Sequence, residues 1–171
     1  MKSVVRVIGI ILVCGSLLGF RQHTQRMDLS GSWKLDAKHS DNLPKSFAMV
    51  ESFVLNIQQS DDSMSVSTTM TGAGQTQTFP PTMYRFDGSE IYRADTARGS
   101  QRWIKATWAT TGQKIIATQR VVLRGGPKEI RYTETDVWQK GKRNMLLILV
   151  TQKYEGSDST RTERRYYRRV Q

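Results

Sequence analysis

Two acidic side chains in the C-terminal half of the chain are the first candidates for chemistry. Glu134 and Asp136 are separated by a single residue. In a β-strand this spacing places both side chains on one face, roughly 7 Å from each other. Carboxyl pairs at such distances serve as the acid and the base of some hydrolases. Buried charges also need partners, so the pair can instead form ion pairs with arginines. Both interpretations stay open, and the hydrolase is the less favoured of the two.

The last predicted strand, over residues 160–170, is rich in arginine and tyrosine. Alternation along the strand places either Arg165 and Tyr167 or Arg164 and Tyr166 on the face that points inward. A guanidinium and a phenol hydroxyl at this spacing can together hold a carboxylate. We predict Arg165 and Tyr167 as ligand-binding residues. Ion pairing in the core, or a solvated strand face, is the alternative.

Other catalytic and metal-binding patterns are missing from the sequence. The two histidines, His23 and His39, are far apart, and the single cysteine, Cys14, lies in an apolar run. No metal-ligand cluster, cofactor motif or Gly-rich phosphate loop occurs, and a serine nucleophile would lack a histidine partner. The sequence therefore predicts no enzyme, no metal and no cofactor.

The elements that position these residues are predicted to be short strands. From residue 29 onward, apolar residues alternate with polar ones between regular turn signals, as at Phe53, Leu55 and Ile57. No long segment has a helical period, which disfavours parallel βαβ units. We predict an all-β fold, an antiparallel up-and-down β-barrel of about 8–10 strands, because closure removes the sheet edges. A sandwich is the competing architecture.

Turn residues give more local predictions. Asp-Gly at 87–88 and Thr-Gly at 111–112 predict tight hairpins. The Gly/Thr/Gln-rich residues 71–77 predict a mobile loop or a strand end, and Pro-Pro at 80–81 excludes a central strand. Residues 40–49 are typical of a loop with one helical turn.

The N-terminus has the pattern of an export signal. Lys2 and Arg6 precede residues 7–20, which carry no charge and are fewer than the roughly 20 residues of a membrane helix. The mature protein is then expected in the periplasm or outside the cell, without a membrane span. Lipidation of Cys14 is a less favoured alternative, because no small residue precedes it.

One domain is expected to follow this signal. We predict a signal peptide over residues 1–20, a flexible N-terminus over 21–28 and a barrel domain over 29–171. A chain of 171 residues is long enough for one domain with a sizeable core.

The positive charge is concentrated in the second half of the chain. The net charge is +11, and residues 99–171 hold 16 Lys/Arg against 6 Asp/Glu, whereas residues 22–98 hold 7 against 9. This asymmetry favours anionic partners, either small or polymeric. Export disfavours nucleic acid, so no nucleic-acid partner is predicted. Cations that merely keep strand faces solvated are the alternative explanation.

The first predicted strand carries a family resemblance. Residues 29–36 read LSGSWKLD, and Gly31-x-Trp33 resembles the G-x-W signature of lipocalins and the wider calycin group. The segment is even more similar to the opening of bacterial secreted lipocalin-like domains, a likeness that Lys38 and Ser40 continue. The resemblance implies an up-and-down barrel with a short helical turn after the first strand, and Trp33 as the plug of its closed end.

The resemblance also implies roles for the last strand. In lipocalins a basic residue of that strand lies across the tryptophan, and Arg164, Arg165 and Arg168 are the candidates. The spacing of Arg165 and Tyr167 is similar to the Arg-x-Tyr pair on the last strand of fatty-acid-binding proteins, which belong to the same calycin group.

These observations predict an exported lipocalin-like protein that binds a small apolar or amphipathic anionic ligand. Arg165 and Tyr167 are expected at its head group, and Trp108, Tyr132 and Trp138 along its wall. One alternative is a basic surface-interaction protein that has a filled barrel and binds an acidic envelope polymer or protein. The carboxylate-based hydrolase is the least favoured alternative.

Overall fold

The computed structural model describes residues 26–97 and 99–170, in which ten strands form a single antiparallel sheet. The strands are β1 (Gly31–Leu35), β2 (Ser52–Gln59), β3 (Ser63–Gly72), β4 (Gln75–Arg85), β5 (Ile91–Asp95), β6 (Ser100–Trp108), β7 (Lys114–Leu123), β8 (Ile130–Lys140), β9 (Leu146–Tyr154) and β10 (Thr160–Val170). Their order is β4-β3-β2-β1-β10-β9-β8-β7-β6-β5. The first and last strands of the chain are therefore paired, and the sheet is an up-and-down barrel left open between β4 and β5. The predicted fold class is confirmed, whereas the signal peptide predicted over 1–20 lies outside the described residues.

The hairpin predicted at residues 87–88 is wrong, because the described residues of β4 and β5 are not paired with each other. Gly88 has a positive φ of 77° and donates its N–H to the carbonyl oxygen of Ala106 in β6, at 3.1 Å. The turn therefore leads the chain onto β6, with which β5 pairs. Across the resulting gap, the Arg93 guanidinium donates to the carbonyl oxygen of Pro81. This contact links the two sheet edges.

Residues 71–77 contain two strand ends, because β3 ends at Gly72 and β4 begins at Gln75, which is the second of the two alternatives that the sequence left open. They belong to a regular hairpin of β3 and β4, in which the hydroxyls of Thr71 and Thr76 lie 3.0 Å apart. Short polar side chains that bond each other across the strands make this segment regular without an apolar face. The prolines at 80–81 lie in β4, an edge strand, as the exclusion of a central strand requires.

The closed end of the barrel is filled by apolar side chains around Trp33. This residue is 1% exposed, and its indole N–H donates to the carbonyl oxygen of Leu29 at 2.8 Å. Met27 is also buried there, and its carbonyl oxygen accepts from the Gln59 amide at 2.8 Å. The sequence predicts a flexible segment over 21–28, but Met27 is packed because its side chain helps to fill this end. The plug role of Trp33 is confirmed.

The cation that lies across Trp33 is Arg169, with its guanidinium carbon 5.5 Å from the ring centroid. The resemblance pointed instead to Arg164, Arg165 or Arg168, and this was wrong. The reason is the register, which sets Trp33 directly opposite Arg169 on the same sheet face.

Replacing this cation tests its contribution to stability. Arg169→Met is expected to lower the free energy of unfolding by about 0.5–2 kcal/mol, because the ring contact and the 2.7 Å bond from Arg169 to the carbonyl oxygen of Ser30 are lost. Arg164→Met is the matched control, since Arg164 is 61% exposed and its ion pair with Asp41, itself 57% exposed, lies on the surface. Urea unfolding compares the two variants. An equal loss in both would contradict the assigned role of Arg169.

The other end of the barrel is open and is partly covered by a 3₁₀ turn, Lys45–Met49, named the capping turn below. It confirms the helical turn predicted within residues 40–49. The capping turn rests on the hairpin of β3 and β4, where a Cβ on Gly72 would stand 2.6 Å from the carbonyl oxygen of Met49. Glycine is therefore required at this contact. No helix among the described residues is long and apolar enough to cross a membrane.

Candidate functional site

Polar side chains project from β7, β8, β9 and β10 into the interior of the barrel. They are Gln119, Glu134, Asp136, Gln152, Glu163, Arg165 and Tyr167, named the inner cluster below. The sheet register places Glu134 directly between Gln119 and Gln152. Four members are almost inaccessible, since Gln119, Asp136, Glu163 and Tyr167 are 3%, 6%, 1% and 1% exposed.

Arg165 is the most extensively bound cation of the inner cluster. Its Nε and Nη2 atoms donate to Oε2 of Glu163 at 2.9 and 2.6 Å. Arg161 approaches the other oxygen of the same carboxylate, with Nε 3.3 Å from Oε1. Arg165 also lies beside the hydroxyl of Tyr167, which is buried. Two guanidinium groups thus share one buried carboxylate, which leaves an excess of one positive charge in this part of the cluster.

Glu134 and Asp136 lie together in the interior, and two amides contact them. Gln152 donates to Oε2 of Glu134 at 2.6 Å. The Gln119 amide nitrogen lies 3.4 Å from Oε1 of Glu134 and 3.4 Å from Oδ2 of Asp136, which is long for a hydrogen bond. Among the described residues, no three His, Cys, Asp or Glu side chains are grouped closely enough to hold a metal ion.

Asp136 has the most perturbed carboxyl group of the cluster. Burial, aided by the neighbouring charges of Glu134 and Glu163 and opposed by Arg165 and Gln119, raises its pKa to about 8. Burial likewise raises the pKa of Tyr84 and of the Tyr167 hydroxyl above the ordinary tyrosine value. At neutral pH Asp136 therefore favours the uncharged acid, which can donate a hydrogen bond as well as accept one.

Three buried oxygens in the inner cluster receive no hydrogen bond from the described residues. They are Oδ1 of Asp136, Oε1 of Gln119 and Oε1 of Glu163, and of these three the Glu163 oxygen still has the Arg161 guanidinium as an ion-pair partner at 3.3 Å. Buried polar atoms in proteins are nearly always hydrogen bonded, and each one left without a partner costs about 1–3 kcal/mol. The inner cluster is therefore expected to make the barrel less stable than an apolar interior would.

Aromatic rings connect the inner cluster to the capping turn. The ring of Phe53 lies 5.3 Å from that of Phe47 in the capping turn and 6.5 Å from that of Tyr167. The Arg165 guanidinium carbon lies 5.5 Å from the centre of the Phe47 ring. The capping turn thus lies over the route from the open end to Arg165, which is 19% exposed.

Among the predicted site residues, the structure brings Arg165 and Tyr167 together on the inward face of β10. Tyr132 lies nearer the open end, on the same face of β8 as Glu134, and its ring packs 5.3 Å from that of Tyr154. It therefore lines the upper part of the interior, beyond the inner cluster.

The two predicted tryptophans lie towards the closed end. Trp138 is buried with its ring 5.9 Å from that of Tyr84, and Trp108 packs 5.0 Å from Phe86. They belong to the apolar floor of the barrel and are not brought into the group around Arg165.

The sequence analysis missed Glu163, Gln119 and Gln152 as members of the site. Strand alternation contains the signal for Glu163, which is two residues before Arg165 on the same face. Gln119 also interrupts the otherwise apolar face of β7 formed by Ile115 and Ala117. A polar residue in the middle of an inward-facing apolar row is the pattern that identifies it.

Comparison with known proteins shows structural similarity to several solved chains. A fatty acid binding protein of Schistosoma mansoni in complex with arachidonic acid is 16% identical to this chain, with a TM-score of 0.48, and the match covers 83% of this chain and 96% of that chain. No family model and no curated protein sequence matches the chain. The strand order and registers given above define the fold independently of this similarity.

Proposed function

We propose that this chain is an exported binding protein that holds a small apolar or amphipathic molecule with an anionic head group inside its barrel. The observation that carries the proposal is the pair of guanidinium groups, from Arg161 and Arg165, that share the single buried carboxylate of Glu163. Their excess positive charge lies beside the Tyr167 hydroxyl. Together the guanidinium and hydroxyl groups can donate hydrogen bonds to the carboxylate of a ligand.

The energetics of the inner cluster support a role other than folding. Replacement of buried ion pairs by packed apolar side chains is often neutral or stabilising, so a barrel that served only as a core would gain from an apolar interior. Functional sites are where proteins keep such costly groups. The inner cluster fits a site that is selected for binding.

The aromatic side chains on either side of the inner cluster support an amphipathic ligand. Trp138 and Trp108 form an apolar floor, and Phe53 and Tyr132 lie between the inner cluster and the open end. Ligand sites in proteins combine apolar walls with a few polar groups of this kind. We assign the head group to Arg165 and the apolar part of the ligand to these aromatic walls.

Displacement of a bound fluorescent dye by palmitate tests the proposal. The wild type is expected to bind palmitate more tightly than hexadecanol, which has the same chain without the charge. The double variant Glu163→Gln/Arg165→Gln is expected to bind palmitate about 10- to 100-fold more weakly and hexadecanol unchanged, and Tyr167→Phe is expected to weaken palmitate binding up to about tenfold. Tyr92→Phe is the control, because the Tyr92 side chain is exposed on the outside of the barrel. Failure of the wild type to bind either compound would overturn the proposal.

The capping turn provides a kinetic prediction for this function. Phe47→Ala is expected to speed both uptake and release of palmitate severalfold with little change in its dissociation constant, because the ring that lies over Arg165 is removed. Stopped-flow fluorescence measures both rates. Met49→Ala, which truncates a side chain of the same turn that is exposed to solvent, is the control. Unchanged rates in the Phe47 variant would show that ligands enter by another route.

Export is part of the proposal and rests on the charged and apolar pattern of the first 20 residues. The intact mass of the protein from the producing cells tests it. A mature species that lacks roughly the first 20 residues, recovered outside the cytoplasm, is expected. A full-length cytoplasmic species would contradict export without affecting the proposed ligand site.

A cleft lined by three cations, together with Tyr132, Glu155 and Asp158, favours a second candidate function, binding of an acidic polymer or protein. The cleft has a volume of about 710 Å³, and Trp103, Arg120, Arg131 and Lys153 are among its lining residues. Polyglutamate binding tests this second function. The function would be supported if added salt strongly weakened the binding and if the triple variant Arg120→Gln/Arg131→Gln/Lys153→Gln lost it. Salt-insensitive or absent binding would leave the interior as the favoured site.

A further inference from the structure

Two neighbouring side chains of the inner cluster each have a buried oxygen without a hydrogen-bond partner. Oδ1 of Asp136 and Oε1 of Gln119 are both buried, and no donor or acceptor among the described residues reaches either atom. The two side chains already touch through their other atoms, at 3.4 Å. They project inward from the adjacent strands β8 and β7, within the same interior that holds Arg165.

We propose that Asp136 and Gln119 form a second polar subsite that binds a hydroxyl group of the ligand. This inference rests on the proposed function and names the ligand class more closely, as a hydroxylated amphipathic acid. The amide oxygen of Gln119 accepts a hydrogen bond, and the protonated carboxyl of Asp136 donates one. A hydroxyl group does both, so it satisfies the two atoms at once.

The surrounding charges favour a neutral group at this position. Glu134 on the same strand and Glu163 on β10 face Asp136, together with Arg165, Tyr167 and Tyr84. A second carboxylate on the ligand would be repelled by Glu134 and Glu163. An ammonium group would be attracted by the carboxylates but would lie within the field of Arg165. A hydroxyl group avoids both penalties.

The fold also limits where the hydroxyl lies along the ligand. Asp136 is opposite Val150, Val150 is opposite Glu163, and Arg165 is two residues further along β10. Two strand spacings and two residue steps give a Cα separation of roughly 12 Å between Asp136 and Arg165, which two inward-pointing side chains then shorten. The hydroxyl is therefore expected within a few bonds of the carboxylate and not at the far end of the chain.

Three acids of the same chain length test the inference. The wild type is expected to bind 3-hydroxypalmitate about tenfold more tightly than palmitate, and 16-hydroxypalmitate no more tightly than palmitate. Asp136→Leu and Gln119→Leu are expected to abolish the preference for the 3-hydroxyl, measured within each variant as the ratio of its dissociation constants for palmitate and 3-hydroxypalmitate. Asp136→Asn is expected to keep it, because an amide also donates and accepts. Thr68→Val, which removes a polar group on β3, is the control and is expected to leave the preference unchanged.

The outcomes separate this inference from the function on which it rests. Equal binding of palmitate and 3-hydroxypalmitate would overturn the subsite and leave the carboxylate site standing, with water as the partner of the two oxygens. Tighter binding of hexadecylamine than of either acid, lost in Asp136→Asn, would show a cation site and would also overturn the inference. Failure to bind any of these acids would overturn both proposals.

Discussion

Asp136→Asn is expected to stabilise the protein above pH 8 by on the order of 2–5 kcal/mol and to leave its stability nearly unchanged at pH 4. The folded protein holds the carboxyl of Asp136 in its protonated form because burial raises its pKa to about 8. The unfolded chain releases that proton near pH 4. An amide cannot ionise, so the variant avoids the cost of burying a charge.

The sign of this effect follows from proton linkage. Between about pH 4 and pH 8 the folded state binds one proton more than the unfolded state at this position, so the stability of the wild type falls as the pH rises. The contribution is fully present at low pH and is lost as the pH passes the raised pKa of Asp136. The charges that set this pKa are those of Glu134, Glu163 and Arg165, with the Tyr84 and Tyr167 hydroxyls nearby.

Urea unfolding of both proteins between pH 4 and pH 9 measures the difference. Asp158→Asn is the matched control, since Asp158 lies exposed in the turn between β9 and β10, and it is expected to change the curve little. A constant difference between Asp136→Asn and the wild type across this range would contradict the account. So would a loss of stability in the variant at high pH, which would mean that Asp136 is ionised and well solvated.

Arg165→Met is expected to destabilise the protein by about 3–5 kcal/mol, because it leaves the buried carboxylate of Glu163 without its main partner. Arg161 remains 3.3 Å from the other oxygen but is itself half exposed. The double variant Glu163→Gln/Arg165→Met is expected to recover most of this loss, because it removes both charges. A double-mutant cycle with Glu163→Gln isolates the coupling between the pair.

An exposed ion pair provides the control for this prediction. Arg124 and Glu129 are 53% and 34% exposed and lie 2.7 Å apart, so Arg124→Met is expected to cost less than about 1 kcal/mol. Urea unfolding at pH 7 measures all four variants. If Arg165→Met cost no more than Arg124→Met, the inner cluster would be solvated, and its role as a closed polar site would be contradicted.

These two expectations imply a conflict between stability and function. Replacement of both members of the Glu163–Arg165 pair by packed apolar side chains is expected to leave the barrel as stable or more stable, while it weakens the binding of an anionic ligand. Burial of the polar inner cluster lowers the free energy of unfolding. This loss is offset by apolar packing elsewhere, in the capping turn, in the floor around Trp138 and around Trp33. Stabilisation at the expense of binding is therefore the signature expected of the inner cluster.

Strand alternation was enough to predict the barrel and to predict that one of two Arg-x-Tyr pairs of β10 points inward. The alternation at Phe53, Leu55 and Ile57, and the spacing of Arg165 and Tyr167, fix which side chains share a face. What alternation leaves undetermined is which of two faces points inward, and the register settles this by setting Trp33 opposite Arg169. Register depends on pairing between distant strands, which a single sequence does not display.

The gap between β4 and β5 and the inner cluster needed the structure for a related reason. An Asp-Gly turn is a strong local signal for a hairpin, but the pairing of Gly88 with Ala106 in β6 overrides it. Likewise, Gln119 and Glu163 are 44 residues apart in the chain. They belong to the same inner cluster only because β7, β8, β9 and β10 are neighbours in the sheet. Interactions across a sheet therefore define the site, and local patterns define only its parts.

Native mass spectrometry of the protein purified from the cells that make it, followed by organic extraction, tests the central claim most directly. The account predicts a complex of one protein with one small amphipathic acid, whose occupancy falls sharply in the Glu163→Gln/Arg165→Gln variant and persists in Tyr92→Phe. A protein that carries nothing, and that takes up neither palmitate nor 3-hydroxypalmitate when these are added, would contradict it.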